Sequence, residues 1–181
     1  MCGRYYFSIE EALAFARLKQ KITQMSISHY AQHEIFPSQN ALVLIDGEED
    51  YTLDVMKWGI KGFQNKLLIN ARNEGIETKK TFSPMLQHRC LIPCNGFYEW
   101  KNKKKVFIYE KDEPLFYLAG IYNEQKEFVI VTGEAQKDMK FVHHRTPIIF
   151  HEKDIERYLK GDCEFAVDND GLAFSLDDKE I

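Results

Sequence analysis

Five short apolar segments between residues 90 and 132, separated by turns, constrain the fold more than any other feature of the sequence. They cover residues 90–93, 96–100, 106–109, 115–122 and 128–132. Segments of this length and spacing are typical of antiparallel strands, and strands joined so closely favour a sheet that closes on itself. Residues 41–45 and 51–58 extend the pattern around an Asp-Gly turn. The sequence therefore predicts an α+β fold built on a curved, largely antiparallel β-sheet or barrel.

Helices are expected only at the periphery of this sheet. Residues 1–7 read as a strand, and Ser8 with Glu11 then forms a capping-box pattern at the start of an amphipathic helix over residues 9–19. A second helix is expected over residues 152–160. These elements would lie beside the sheet and cover part of its core.

One domain spanning residues 1–181 is expected, because a chain of this length suits a single domain and 44% of its residues are hydrophobic. No apolar run approaches twenty residues, so no membrane span is expected. No basic and apolar leader precedes a cleavage site, and the four cysteines are therefore expected to be reduced thiols in the cytoplasm.

The acidic excess of the chain is concentrated at its C-terminal end. The formal net charge is −4, but residues 161–181 hold seven acidic side chains against one lysine. The rest of the chain has 23 basic and 21 acidic residues. The overall charge therefore does not exclude a local basic groove for nucleic acid. A solvated cap is the expected role of the acidic segment.

Cys2 is the most informative single residue. A small second residue permits removal of the initiator Met, which leaves a terminal cysteine with a thiol and an α-amine on adjacent carbons. That amine has a pKa of about 7.7–8.0, so it is a better nucleophile near neutral pH than a lysine with a pKa near 10.4. With an aldehyde, the amine forms an imine and the thiol closes a five-membered thiazolidine. The alternative is an incidental residue at a frayed chain end.

Glu99 is a candidate acid or base within Gly96-Phe97-Tyr98-Glu99-Trp100. In a strand, Phe97 and Glu99 share one face, while Tyr98 and Trp100 point the other way. A carboxylate flanked by large aromatic side chains is poorly solvated, which raises its pKa and suits general acid–base catalysis. The alternative is an edge-strand glutamate that faces water.

Two polar clusters offer further catalytic groups. His143-His144-Arg145-Thr146-Pro147 combines imidazoles that can move protons near neutral pH with a guanidinium that can hold a phosphate or a carboxylate. Asn70-Ala71-Arg72-Asn73-Glu74 lies in an expected polar loop over residues 70–75 and offers an amide, a guanidinium and a carboxylate. Solvated turns remain the alternative for both.

Basic residues cluster at Lys79-Lys80, His88-Arg89 and residues 101–105, and aromatic side chains lie between them. Single-stranded nucleic acid requires this mixture, since cations contact phosphates and flat rings stack on bases. For the lysines of residues 101–105 alone, a solvated hairpin tip is the alternative. Trp58 would either stack on a base or fill the core.

Neither a metal nor a cofactor is expected. Cys90 and Cys94 have three residues between them and no second pair follows, so the zinc pattern fails. His29 and His33 have helical spacing, but the HExxH signature is absent. The sequence also contains no Walker loop, GxGxxG or GxSxG motif.

Taken together, these motifs resemble the SRAP (SOS-response-associated peptidase-like) family. The resemblance covers the chain from its first residue to about residue 150, and each motif stands in the order of the family. The matching residues are Met1-Cys2-Gly3-Arg4, Pro37-Ser38-Gln39, Trp58-Gly59, Asn70-Ala71-Arg72 with Glu74, Arg89-Cys90-Leu91-Ile92-Pro93, Gly96-Phe97-Tyr98-Glu99-Trp100, Thr132 with Ala135, and His143 with Arg145 and Pro147.

The resemblance implies a sensor of abasic sites in single-stranded DNA that crosslinks to the lesion as a thiazolidine. Cys2 would be the nucleophile and Asn70 would orient it. Glu99 would be the acid or base that assists imine formation, and His143 would assist opening of the deoxyribose ring. We expect a monomeric protein that associates with the nucleoid when it is bound to DNA.

The resemblance also implies a DNA-binding surface. Arg4 and Arg72 would hold phosphates that flank the lesion, and Pro37 and Trp58 would lie where the base stack is interrupted. Lys80 stands where some members carry an arginine, and it attracts phosphate without clamping it bidentately. Thr146 also departs from the Met or Arg of other members, with an expected effect on packing.

Two other functions remain open at this point. In an N-terminal-nucleophile hydrolase, Cys2 would cut amide bonds, including the bond to Met1, with its own amine as the base. A non-covalent binder of modified DNA bases would not need the Cys2 thiol. An adduct with abasic DNA that resists detergent would distinguish the first function from both alternatives.

Overall fold

Two β-sheets that share one hydrophobic core dominate the computed structural model, which describes residues 2–10 and 16–175. The strands are β1 (Arg4–Phe7), β2 (His33–Ile35), β3 (Asn40–Ile45), β4 (Thr52–Trp58), β5 (Ile60–Lys61), β6 (Leu67–Leu68), β7 (Asn70–Arg72), β8 (Arg89–Cys94), β9 (Gly96–Lys101), β10 (Lys104–Glu110), β11 (Phe116–Tyr122), β12 (Glu127–Glu134), β13 (Arg145–Pro147), β14 (Ile149–Phe150) and β15 (Leu172–Ser175). The helices are α1 (Ala16–Gln24), α2 (Met139–Val142) and α3 (Ile155–Leu159), with 3-10 turns at Phe63–Asn65, Ile76–Thr78, Ser83–Met85 and Glu152–Asp154.

The larger sheet has eight strands and closes into a barrel. Strand β12 pairs antiparallel with β11 and, over a short stretch, parallel with β4, so the path β12-β4-β3-β8-β11 returns to β12. Val43, Leu91, Leu118 and Val129 are completely buried. Each apolar side chain of this kind contributes about 1.5–3 kcal/mol when it is removed from water, which stabilises the closed sheet.

The smaller sheet has five strands in the order β15-β10-β9-β1-β2, and all of its pairs are antiparallel. Tyr5 of β1 and Phe97 of β9 face each other across the sheet and are buried, so this face covers the common core. Arg4 lies opposite Tyr98, and the residues that precede Arg4 therefore run alongside Glu99. The start of the chain is thus held at a central position of the sheet.

The structure confirms the predicted α+β fold and the seven strands expected between residues 41 and 132, whose bounds differ from the prediction by one or two residues. The predicted late helix is present as the 3-10 turn Glu152–Asp154 followed by α3. Among the described residues, no helix is long and apolar enough to cross a membrane.

The first helix differs from the prediction. Ile9 lies in a bend and Glu10 in a turn, and α1 continues to Gln24 rather than ending at residue 19. Lys21, in the added turn of the helix, donates from its ammonium group to the Tyr51 carbonyl oxygen at 2.8 Å. Glu11 of the predicted capping box lies outside the described residues.

Two segments predicted to lack regular structure contain strands. Asn70–Arg72 is strand β7, not a loop, because it pairs parallel with Ile130, Val131 and Thr132 of β12. In the acidic segment, Leu172–Ser175 adds an edge strand to β10, so this part of the segment belongs to the sheet and is not a solvated cap. Residues 176–181 lie outside the described part of the chain.

Candidate active site and nucleic-acid interface

Cys2 is completely buried at the start of β1. Its Sγ lies 3.5 Å from the carbonyl oxygen of Arg4, and its own carbonyl oxygen accepts a hydrogen bond of 2.9 Å from Asn70 Nδ2. Burial raises the pKa of the Cys2 thiol well above its ordinary value, and the negative charge of Glu99 raises it further. The thiol is therefore protonated at neutral pH, and Cys2 does not lie at a frayed chain end.

Glu99 lies on the inner face of β9, where its side chain is 2% exposed. Strand β9 lies between β1 and β10, so the alternative of an edge-strand glutamate that faces water is wrong. The predicted alternation is confirmed, since Phe97 is buried with Glu99 whereas Trp100 is 39% exposed. Because the charge of Glu99 raises the pKa of Cys2, the two groups lie within electrostatic reach of each other.

Asn70 brings a third functional group to Cys2. Strand β7 carries Asn70 beside β12, and the amide nitrogen spans from this sheet to the start of β1. The Asn70 Oδ1 atom is buried and has no hydrogen-bond partner among the described residues. The amide therefore has an acceptor available for a further donor at the site.

His143 follows α2, which packs against β9. Its Nδ1 lies 3.0 Å from the backbone nitrogen and 3.1 Å from the carbonyl oxygen of Arg145. Depending on the tautomer, Nδ1 either accepts from the first atom or donates to the second.

The pKa of the neighbouring His144 depends on the charged groups around this segment. Its ring lies 4.3 Å from that of His143. The pKa of His144 is lowered chiefly by the charge of His143, with smaller contributions from desolvation, Arg145 and Arg72. Arg72 therefore lies within electrostatic reach of the histidine pair, although the two segments are distant in sequence.

Arg145 is a buried cation that binds a half-exposed carboxylate and a backbone carbonyl oxygen. Its Nη1 donates to Glu74 Oε1 at 2.7 Å, and its Nη2 donates to the carbonyl oxygen of Thr132 at 2.6 Å. These bonds join β13, β12 and the segment after β7. The hydrogen bond from Arg145 lowers the pKa of Glu74 and keeps this carboxyl group ionised at neutral pH. Arg145 is therefore a structural cation, and phosphate binding by its side chain is not supported.

Arg4 lies on the outer face of the five-stranded sheet. Its guanidinium donates to Glu34 Oε1 at 3.0 Å and lies over the rings of Phe36 and Trp100, at 4.6 and 5.1 Å. Its side chain is 35% exposed. A phosphate can therefore reach Arg4, but it must compete there with the carboxylate of Glu34.

The other predicted DNA contacts have different surroundings. Arg72 and Lys80 are exposed, and Pro37 is half-buried in the turn after β2. Lys80 follows the 3-10 turn Ile76–Thr78, and in the described part of the chain no hydrogen bond or ion pair joins it to Cys2. The structure thus brings Cys2 and Asn70 into direct contact, with Glu99 within electrostatic reach.

The expectation that Trp58 lies at a DNA-binding surface is wrong for its side chain, which is completely buried. The indole stacks on Phe128 with ring centroids 6.4 Å apart, and its Nε1 donates to the Ile69 carbonyl oxygen at 3.0 Å. The Trp58 carbonyl oxygen accepts from the backbone nitrogen of Ser38 at 2.8 Å. Trp58 therefore supports the turn that presents Pro37.

Glu34 was not identified from the sequence, and Lys105 was considered only as part of the lysine cluster at residues 101–105. Lys105 Nζ lies 2.9 Å from the same Glu34 Oε1 that binds Arg4. Glu34 lies in a polar stretch without a recognisable motif, and Lys105 belongs to the lysine cluster for which a hairpin tip was the alternative. The only available signal was the alternation in β10, which places Lys105 and Phe107 on one face.

A metal site is absent from residues 2–10 and 16–175, where no group of three or more His, Cys, Asp or Glu side chains is suitably arranged. All four cysteines are free thiols, as predicted, and Cys163 is the one that is half-buried rather than buried. The side chains that act on Cys2 are the amide of Asn70 and the carboxylate of Glu99.

Comparison with known proteins gives consistent matches. The family model described as SOS response associated peptidase (SRAP) matches residues 1–178. The chain is 30% identical to the abasic site processing protein YoaM of Bacillus subtilis, over 85% of this chain and 78% of that protein. It is 28% identical to the abasic site processing protein YedK of Escherichia coli, over 88% and 80% of the two chains. A crystal structure of a Bacteroides thetaiotaomicron protein matches with a TM-score of 0.74 at 22% identity, over 96% of this chain and 90% of that one.

The family match includes every strand from β1 to β15 and contains the residues that surround Cys2. The likeness to the solved structure shows that the fold is shared along nearly the whole chain. The chain therefore belongs to the SOS response associated peptidase (SRAP) family.

Proposed function

We propose that this protein recognises abasic sites in single-stranded DNA and captures them covalently through Cys2 once Met1 has been removed. The observation that carries the proposal is the convergence of Cys2, Asn70 and Glu99, which come from three strand segments distant in sequence. The relatives named abasic site processing proteins support DNA carrying such lesions as the substrate.

The proposed reaction joins the lesion to both nucleophilic atoms of Cys2. An abasic deoxyribose is in equilibrium with an open-chain aldehyde. The α-amine adds to this carbon to give a carbinolamine, which loses one water molecule and becomes an imine. The thiol sulfur then bonds to the imine carbon while its proton passes to the nitrogen. The product is a thiazolidine, and water is the only molecule released.

Glu99 supplies the proton transfers of this sequence. As an acid, it would protonate the departing hydroxyl of the carbinolamine, and as a base it would accept the proton of the thiol. Its burial keeps water from competing for these protons. The raised pKa of Cys2 makes such a base necessary, because the thiol does not ionise by itself at neutral pH.

Asn70 would position Cys2 for attack, and His143 would assist the opening of the sugar ring that exposes the aldehyde. The hydrogen bond from Asn70 fixes the Cys2 carbonyl and so limits the positions of the amine and the thiol, which lowers the entropy lost on attack. His143 would move the proton that must leave the sugar hydroxyl when the deoxyribose ring opens. Arg4, Arg72 and Lys80 would hold the flanking phosphates beside the Pro37 turn.

Denaturing gel electrophoresis after incubation with an abasic single-stranded oligonucleotide tests the proposal. The wild-type protein is expected to give a detergent-resistant adduct, and Cys2→Ala is expected to give none. Cys163→Ala removes a half-buried thiol outside the site and is expected to crosslink normally. Intact mass measurement first establishes that Met1 has been removed.

Three outcomes would contradict the proposal. An adduct that persists in Cys2→Ala would assign the crosslink to another nucleophile. Binding of abasic DNA without any adduct, and equally by Cys2→Ala, would indicate a non-covalent binder. Cleavage of amide substrates with no retained DNA would indicate an N-terminal-nucleophile hydrolase.

A further inference from the structure

One carboxylate oxygen bridges two cations on the outer face of the five-stranded sheet. Glu34 Oε1 lies 3.0 Å from Arg4 Nη1 and 2.9 Å from Lys105 Nζ. The three residues come from β2, β1 and β10, so the sheet assembles the cluster from separate parts of the chain. Between 24% and 35% of each side chain is exposed, so solvent and ligands can reach it.

Both cations are also held by aromatic rings. The Arg4 guanidinium lies between Phe36 and Trp100, and Lys105 Nζ lies 4.1 Å from the ring centre of Tyr98. Such contacts contribute about 0.5–1 kcal/mol each at exposed sites. The two cations therefore have partners that would keep them in position if the Glu34 carboxylate were displaced.

The carboxylate of Glu34 is ionised in the folded protein. Burial opposes ionisation, but the hydrogen bonds and charges of Lys105 and Arg4 outweigh it and hold the pKa of Glu34 below its usual value. The cluster thus consists of two cations and one anion at neutral pH, and a negatively charged ligand must compete with Glu34 for both cations.

We infer that Arg4 and Lys105 form a seat for one DNA backbone phosphate, which Glu34 occupies as a competing anion when DNA is absent. This inference rests on the proposed function and adds two residues to it. A phosphate oxygen can accept from both cations as Glu34 Oε1 does, so the strand replaces one anion by another. Lys105 is then a DNA contact, and Glu34 is a residue that weakens binding to intact strands.

This competition would favour lesions over undamaged DNA. Each phosphate that enters the seat must first break two ion pairs, which reduces the affinity for any strand regardless of its sequence. A covalent adduct is not lost by dissociation, so capture of an abasic site tolerates weak initial binding. Intact strands form no adduct and would leave.

Equilibrium binding to a fluorescein-labelled oligothymidine without an abasic site tests the inference, measured by anisotropy over a series of salt concentrations. The variants are Glu34→Gln, Lys105→Gln and the double variant. Asp50→Asn is the matched control, because Asp50 also bridges an arginine and a lysine, Arg17 at 2.6 Å and Lys21 at 3.1 Å. Asp50 lies beside α1, away from the five-stranded sheet.

Glu34→Gln is expected to tighten binding about three- to tenfold, because exposed ion pairs of this kind are weak. The slope of log affinity against log salt should stay within about 0.7 of the wild-type value, the change for one phosphate on a single strand, because the same phosphate fills the seat in both proteins. Lys105→Gln should weaken binding and make the slope shallower by about 0.7. In the double variant, Glu34→Gln should increase the DNA affinity by a smaller factor than it does in the wild type.

The inference is overturned if Glu34→Gln binds no tighter than the wild type, or if Asp50→Asn tightens binding equally. Urea unfolding shows whether each variant is folded. If Glu34→Gln does not fold, the test depends on Lys105→Gln. A DNA affinity and a salt slope equal to those of the wild type then overturn the inference. Adduct formation by the wild type is scored separately, so a failure of this inference is distinguishable from a failure of the proposed function.

Discussion

At the scale of single residues, burial would give the amine and the thiol of Cys2 different roles in the proposed reaction. The thiol is enclosed and its pKa is raised by burial and by Glu99, so it stays protonated at neutral pH. An α-amine has an ordinary pKa of about 7.7–8.0 and is partly unprotonated at the same pH. The amine is therefore the first nucleophile of the proposed reaction, and the thiol follows when a base accepts its proton.

Glu99→Gln is expected to slow adduct formation by at least about 100-fold, because general acid–base groups contribute roughly 10²–10⁴-fold to a rate. The affinity for intact single-stranded DNA should not change. A quenched time course with abasic DNA, analysed on denaturing gels, measures the rate. Glu110→Gln is the matched control, since Glu110 also lies on a strand and its side chain is 8% exposed. Equal slowing by both variants would argue against a role for Glu99 in proton transfer.

Asn70→Ala is expected to slow adduct formation about tenfold, the effect of losing one hydrogen bond worth about 1–1.5 kcal/mol that positions Cys2. Asn73→Ala is its control, because the Asn73 amide also donates to a backbone carbonyl, that of Phe165, at 2.8 Å. Adduct rates and urea midpoints are measured for both. If Asn70→Ala changes the midpoint but not the rate, Asn70 has only a structural role.

Residues whose roles depend on one strand could be predicted from the sequence, and residues whose roles depend on neighbouring strands could not. The burial of Glu99 follows from alternation within β9. The burial of Trp58 depends on Phe128 and Tyr5, which only the folded barrel brings to it. Glu34 likewise acquires its role from Arg4 and Lys105, which lie on other strands.

At the scale of elements, the same distinction separates the predicted strands from the missed ones. The strands from β8 to β12 have apolar runs and turns that mark them without knowledge of their partners. Strand β7 has one buried side chain, Ala71, between two polar residues. It is a strand because it pairs with residues 130–132 of β12, beyond the short pairing of β12 with β4, and a sequence pattern does not contain that information.

Arg145 joins β12, β13 and the segment after β7, and Arg145→Met is expected to lower the free energy of unfolding by about 2 kcal/mol. The reason is that the buried Thr132 carbonyl oxygen loses its donor, and a buried acceptor without a partner costs about 1–3 kcal/mol. Glu74→Gln should cost about 1 kcal/mol or less, because the Glu74 side chain is 52% exposed and can be hydrated. Urea unfolding measures both. Equal costs would show that the ion pair itself, and not the burial of Arg145, stabilises this part of the barrel.

At the scale of the whole molecule, one core serves both sheets and encloses several ionisable groups as neutral forms. Burial raises the pKa values of Cys90, Cys94, Tyr5 and Tyr158 above their ordinary values. The closed barrel that positions the site also keeps protons on these groups, and the stability of the fold is therefore linked to pH.

The protein is expected to lose stability as the pH rises above about 9, the ordinary pKa of a thiol. There the unfolded chain releases thiol protons that the folded chain keeps, so the unfolded state binds fewer protons and the free energy of unfolding falls. At about pH 10, each buried thiol accounts for a loss of about 1.4 kcal/mol, and Cys2, Cys90 and Cys94 together for about 4 kcal/mol. Urea midpoints at about pH 8 and about pH 10 measure the change.

Cys90→Ala separates this effect from alkaline denaturation in general. The variant removes one of the three buried thiols, so its loss between about pH 8 and about pH 10 should be smaller than that of the wild type by about 1.4 kcal/mol. Cys163→Ala removes a half-buried thiol and should change the loss much less. If Cys90→Ala loses as much stability as the wild type, the buried thiols do not account for the pH dependence, and other buried groups such as Tyr158 must do so.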